Sequence, residues 1–275
     1  MFTFFGVPKE DITNVSKKTI CLLGATVSTP GFHPDFGVNF SPDILRLVSL
    51  EITSLPSYDF SLLDYDVVDV GNFSIRELPL IVKEIIKRDA FPFVIGGDHA
   101  TTFFALRYIQ AKNLIWLDAH LDFHTSLNEL PSYESALLNI MKTHSNIKCY
   151  VLGYRSYASY PEENKRIVKY PVKIVSWPFD LRILNNLFKY EETFVSIDLD
   201  FFNPIGMPAV KVPEIDGPDI DSFIRFIFEM DSFRNLRYLD IVEYAPMKDH
   251  NLSSARLIVR LMLVFLFKLI ECGYG

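Results

Sequence analysis

The chain has 275 residues, 49% of them apolar and 14% aromatic, enough to bury a large core, and a single α/β domain over residues 1–275 is expected. A formal net charge of -7 with dispersed Lys and Arg argues against a nucleic-acid partner, because no basic block is present to neutralise phosphates. Cys21, Cys149 and Cys272 are odd in number and far apart, which argues against a disulfide framework or a thiolate zinc site and points to a reducing, cytoplasmic setting.

The first ten residues lack a basic segment followed by an apolar one, so no signal peptide is expected. Thr19–Gly24 reads as a buried strand, and Ser41-Pro42 reads as an N-cap followed by a proline in the first helical turn. Asp66–Gly71 is a second strand, and the apolar spacing of Ile75–Arg88 predicts an amphipathic helix. Phe91–Ile95 leads into Gly96-Gly97-Asp98-His99, where paired glycines permit a tight turn, and Ala100–Ala111 predicts another helix. Strands follow at Leu114–Leu117, Lys148–Gly153, Val172–Trp177, Phe194–Asp200 and Leu236–Val242. Helices are expected at Ser135–Lys142, Asp180–Tyr190, Asp219–Met230 and within Leu252–Glu271. The last helix is apolar, but Arg260 and Lys268 interrupt it and it falls short of a bilayer span, so it reads as a buried helix rather than a membrane segment. About eight strands alternating with helices predict a three-layer α/β/α fold with a mostly parallel sheet. Ligands in such folds lie beyond the carboxyl ends of the strands.

Two stretches at those ends carry chemistry. Asp118-Ala119-His120-Leu121-Asp122-Phe123-His124, read as extended chain, puts Asp118, His120 and Asp122 on one face. Ser196, Asp198 and Asp200 share a face in the same way. Carboxylates and imidazoles crowded beside the apolar run Leu114–Leu117 would repel and lose hydration unless cations held them. His99, Asp118, His120, Asp122, Asp198 and Asp200 together supply two imidazoles and four carboxylates, a charge that two divalent cations would balance. Oxygen-rich ligation with some imidazole favours Mn²⁺, with Zn²⁺, Co²⁺ and Fe²⁺ open. Two such ions about 3.5–4 Å apart hold a bridging water and lower its pKa, which suits hydrolysis.

These motifs resemble those of the ureohydrolases, the family of arginase, agmatinase and formimidoylglutamase. The likeness rests on Gly96–His99, Asp118–Asp122 and Ser196–Asp200 with Pro204 after it, and extends to Pro30-Gly31, Ser41-Pro42 with Arg46, and Asp240–Glu243. The resemblance implies an arginase-like fold, two Mn²⁺ per chain, homo-oligomers of three or six subunits, and attack of metal-bridging hydroxide on a guanidinium carbon to release urea and an amine. It also implies that Asp122 is catalytic as well as a ligand and that Glu243 pairs with the substrate's planar cation. Three features depart from the family pattern: Asn203 stands before Pro204 where an Asp is usual, Pro208–Glu214 lacks the usual Gly and Thr, and Ser135 occupies the place of a proton-shuttling His. Ser is a poor general acid at neutral pH, and His124, on the same face as the first motif's ligands, is the candidate replacement.

The leading expectation is an agmatinase-like enzyme acting on a small guanidino substrate, agmatine before arginine, because no arginase-type loop for an α-amino acid head is evident. Arginase or formimidoylglutamase activity is the alternative within the family. A related single-zinc deacetylase is disfavoured by the fuller ligand set. A catalytically silent homologue that keeps its metals for stability or assembly is the alternative outside enzymology.

Overall fold

Residues 2–52, 60–125, 131–158, 160–180 and 182–275 are described in the computed structural model, the side chains of 189 and 190 excepted. The strands are β1 (Ile20–Ala25), β2 (Val67–Phe73), β3 (Phe91–Ile95), β4 (Asn113–Leu117), β5 (Lys148–Tyr154), β6 (Val172–Ser176), β7 (Thr193–Asp198) and β8 (Leu236–Val242). They form one eight-stranded sheet in the order β2-β1-β3-β8-β7-β4-β5-β6, and every neighbouring pair is parallel. Parallel neighbours need crossover connections, and helices supply them. These are α1 (Ser41–Ser49), α2 (Leu78–Lys87), α3 (Ala100–Leu106), α4 (Ala136–Thr143), α5 (Pro161–Ile167), α6 (Ile183–Tyr190), α7 (Ile220–Glu229) and α8 (Ser253–Glu271).

The period-2 alternation of the strands divides the interior into two cores. On β4, Ile115 and Leu117 pack with residues of α1, α6, α7 and α8, whereas Leu114 and Trp116 pack with α2, α3, α4 and α5. The expected three-layer arrangement is therefore present, with a sheet covered on both faces. Helix α8 buries Ile258, Leu261, Met262 and Phe265 in the first of these cores, while Arg260 reaches out to Asp221. Among the described residues no helix is long and apolar enough to cross a membrane.

Several boundaries differ from the sequence expectation, for identifiable reasons. Helix α3 stops at Leu106, and residues 133–135 form a 3-10 turn ahead of α4. Residue 181, inside the helix expected over 180–190, lies outside the described residues. Helix α5 was not anticipated because its sequence, PEENKRI, is charged and buries only Glu163 and Ile167. Ser41 does not cap α1: it is itself helical, and its Oγ instead accepts the Gly97 N–H at 3.2 Å.

Candidate metal centre

The four central strands β3, β8, β7 and β4 are consecutive neighbours, and their carboxyl ends bring together segments far apart in the chain. After β3 the chain turns through Gly96 and Gly97, whose φ angles are 90° and 76°. A Cβ on Gly97 would lie 2.9 Å from the Val27 carbonyl, so both conformation and space call for glycine. Asp98 locks the turn: one carboxylate oxygen accepts the Thr29 hydroxyl at 2.6 Å and the other accepts the Ala100 N–H at 3.1 Å. His99 is thereby carried over the sheet, stacked on Trp116 at 3.8 Å between ring centroids.

The first ligand-rich stretch is not the extended comb its alternation suggests. β4 ends at Leu117, Asp118 Oδ1 accepts the His120 N–H at 2.6 Å, and Asp122 adopts a left-handed φ of 49°. A turn, not a pleat, gathers these side chains. Glu163 of the unanticipated α5 holds the far end by accepting the Phe123 N–H at 2.9 Å. In the second stretch Ser196 and Asp198 do alternate along β7, but Asp200 lies in a 3-10 turn whose start is tied by Asp198 Oδ1 accepting the Asp200 N–H at 2.8 Å.

His99 Nδ1 is 3.1 Å from a carboxylate oxygen of each of Asp118, Asp122 and Asp198. None of these oxygens is in line for a hydrogen bond, and Nδ1 and Asp122 Oδ2 are buried without a partner. The other ring nitrogen explains the ring's state. Ser196 Oγ donates to Asp240 Oδ1 at 2.6 Å, so its lone pair receives Nε2–H of His99 at 2.9 Å. Asp240 also accepts the hydroxyls of Thr102 and Tyr238, at 2.7 and 2.6 Å. With the proton on Nε2, the Nδ1 lone pair faces three carboxylates, an arrangement that needs a cation. Donor atoms on an octahedral cation with bonds of about 2.1 Å lie about 3 Å apart, which matches the spacing here.

His120 Nδ1 lies 2.9 Å from Asp200 Oδ2 and 3.5 Å from Asp118 Oδ1. Two groups capable of holding a metal ion result, His99-Asp118-Asp198 and Asp118-His120-Asp200, and they share Asp118. Trp116 Nε1–H donates to Asp118 Oδ2 at 2.7 Å and fixes that shared carboxylate. Burial works against charge on His99 and His120, but the surrounding carboxylates outweigh it and raise both rings' hold on a second proton above the usual range, so that without a metal ion a proton takes the Nδ1 position of His99. Burial pushes Asp122, Asp198 and Asp200 upward, reinforced by neighbouring carboxylates. The site therefore retains protons wherever cations do not replace them.

A cavity of about 340 Å³ opens onto these groups. His124 lines it, its ring edge-on to Phe32 and Tyr160 and its Nδ1 2.9 Å from the Thr125 carbonyl, apart from both ligand groups. Ser135 is fully buried and engaged in capping the turn at 132–135, and Asn203 holds its own turn through the Ile205 N–H, so neither lines the cavity. Glu243, just past β8, accepts the His99 N–H at 2.8 Å through Oε1. Its carboxyl is pushed up to about 7 by burial against the opposing pull of Lys211. Lys211 and Glu214 were not anticipated. Lys211 Nζ is 3.5 Å from Glu243 Oε2, and Glu214 Oε1 is 3.3 Å from His120 Nε2. The one available signal was a Lys within the apolar run Pro208–Pro213.

The Arginase family model matches residues 18–268. The chain belongs to the arginase family. Among its relatives are the N(1)-aminopropylagmatine ureohydrolase of Thermococcus kodakarensis, 24% identical over 77% of this chain and 78% of that protein, and the agmatinase of Bacillus subtilis, 24% identical over 86% and 87%. Proclavaminate amidino hydrolase from Streptomyces clavuligerus shares the fold with a TM-score of 0.83 at 18% identity, covering 99% of this arginase-family chain and 98% of the other.

Proposed function

We propose that this chain is a metal-dependent ureohydrolase that cleaves a C–N bond at the guanidinium carbon of a small guanidino substrate, releasing urea and an amine. The observation that carries the proposal is the sharing of Asp118 between two candidate ligand groups, one of which presents Nδ1 of His99 without a hydrogen-bond partner. His99, Asp118, Asp122, Asp198, His120 and Asp200 would hold two cations, and the donor set suits Mn²⁺. Such a pair of ions lowers the pKa of bound water toward neutrality.

The chain's own groups account for the rest. In the overall reaction water oxygen bonds to carbon, the C–N bond to the departing amine breaks, and that nitrogen gains a proton. Asp122, whose Oδ2 lacks a hydrogen bond, is taken as the group that holds the proton in transit, with His124 exchanging it with solvent at the cavity wall. Glu243 is taken to receive the planar amidine, a geometry a carboxylate suits. Relatives named agmatinase make agmatine the leading substrate, with arginine and formimidoyl compounds as alternatives. Lys211 beside Glu243 is the observation that favours the second reading, a homologue that holds metal without turnover. Urea release from agmatine, arginine and guanidinobutyrate after Mn²⁺ loading, with metal stoichiometry on the same sample, decides between them. Two metals and urea support the enzyme; two metals with neither urea from the guanidino compounds nor formamide from a formimidoyl amino acid support the silent homologue; no bound metal defeats both.

A further inference from the structure

Glu243 offers a ligand only one oxygen. Oε1 is committed to the His99 N–H at 2.8 Å, whereas Oε2 is buried with no hydrogen bond. Beside that free oxygen stands the chain's own cation. Lys211 is 5% exposed, with Nζ 3.5 Å from Glu243 Oε2 and 3.4 Å above the centre of the Tyr133 ring. A lysine this deep needs a counter-charge, and the carboxylate and the aromatic face supply it.

The backbone holds Lys211 there. Val210 forms an antiparallel bridge with Tyr244, the Ala245 N–H donates to the Ala209 carbonyl at 2.9 Å, and Lys248 Nζ donates to the carbonyls of Val210 and Lys211 at 3.0 and 2.9 Å. The segment carrying Lys211 is thus stitched to the segment that follows Glu243. A planar cation docking on Glu243 must take the Oε2 lone pairs and lie against an ammonium of like charge.

We infer that Lys211 is a specificity-determining residue: an internal counter-cation that competes with a guanidinium for Glu243 and shifts the site's preference toward an uncharged planar group of the same shape. The inference rests on the proposed reading of Glu243 as the amidine-binding carboxylate. Guanidinium and urea are the natural probes, since they share size and planarity and differ in charge.

The test is calorimetric titration of the metal-loaded protein with guanidinium and, separately, with urea, while urea release is followed so that turnover is not read as binding. In Lys211→Met, which keeps the apolar stem and removes the charge, guanidinium affinity is expected to rise by about tenfold or more, the effect of removing a like charge about 4 Å away from a partly desolvated cation. Urea affinity is expected to change by less than about twofold, since no charge of its own is relieved. Unchanged or weaker guanidinium binding in a variant that melts as a folded protein overturns the inference. If Lys211→Met does not fold, Lys211→Arg decides: it keeps the cation and presents more N–H donors to Oε2, so weaker guanidinium binding supports the inference and unchanged or tighter binding overturns it. Absence of turnover with every amidine would remove the proposed reaction, while the guanidinium-to-urea ratio would still decide the role of Lys211.

Discussion

Ser196→Ala isolates the support of one metal group from its ligands. The Ser196 hydroxyl receives Nε2–H of His99 at 2.9 Å and donates to Asp240 at 2.6 Å, in a site where His99 is 1% exposed. Removing it leaves a buried ring N–H unpaired, a cost of about 1–3 kcal/mol, and frees the ring to lose the tautomer that points a lone pair at Asp118, Asp122 and Asp198. Since 1.4 kcal/mol is a factor of about ten in an equilibrium constant, affinity at the His99 group should fall about 10- to 100-fold, the range seen when such supporting groups are removed elsewhere. The His120 group contains neither Ser196 nor Asp240 and should keep its affinity. Asp240 retains the Thr102 and Tyr238 hydroxyls, so the fold is expected to survive. Competition against a chelator, read as a two-step metal titration, separates the steps. Two unchanged steps, or two steps weakened equally, would refute the argument from tautomer and relay.

Three further outcomes are expected. His124→Asn should lower turnover by about 100-fold with metal stoichiometry unchanged, a general acid's usual contribution, and undiminished turnover removes His124 from the mechanism. Arg46→Met should cost about 3–5 kcal/mol in urea denaturation, because Arg46 and Asp69 side chains are 3% and 2% exposed and joined by two hydrogen bonds of 2.7 and 3.0 Å; a loss below about 1 kcal/mol would show the pair to be dispensable. Burial, aided by Asp66, pushes the Cys21 thiol from 9.0 up to about 12, and burial pushes Cys149 upward as well. Neither should be alkylated at pH 8 in the native protein, whereas both should react in denaturant. As pH rises from 9 toward 12 the unfolded chain releases the Cys21 proton that the folded chain keeps, so stability should fall across that window; a flat profile there contradicts the burial argument.

Local pattern was enough for much of the architecture. Short runs bounded by turn residues at Phe91–Ile95 and Leu236–Val242 identified β3 and β8 with the observed bounds, and the strand-helix rhythm implied parallel pairing because few other connections suit it. The candidate ligands were legible too, since Asp-x-His-x-Asp beside an apolar run is costly without cations. What stayed hidden belongs to contacts between distant segments. Asp122 converges on His99 through a left-handed turn that no period announces. The Ser196–Asp240 relay needs β7 and β8 in their observed register, Ser196 opposite Asp240, and one residue of slip would send the partner to the other face. Lys211 against Glu243, and Glu214 against His120, depend on how a loop folds back over the sheet. The sequence by itself determined which donors this chain owns and which strands present them. Only the tertiary structure decided which oxygens stay bare, because that depends on every partner that packing brings within reach.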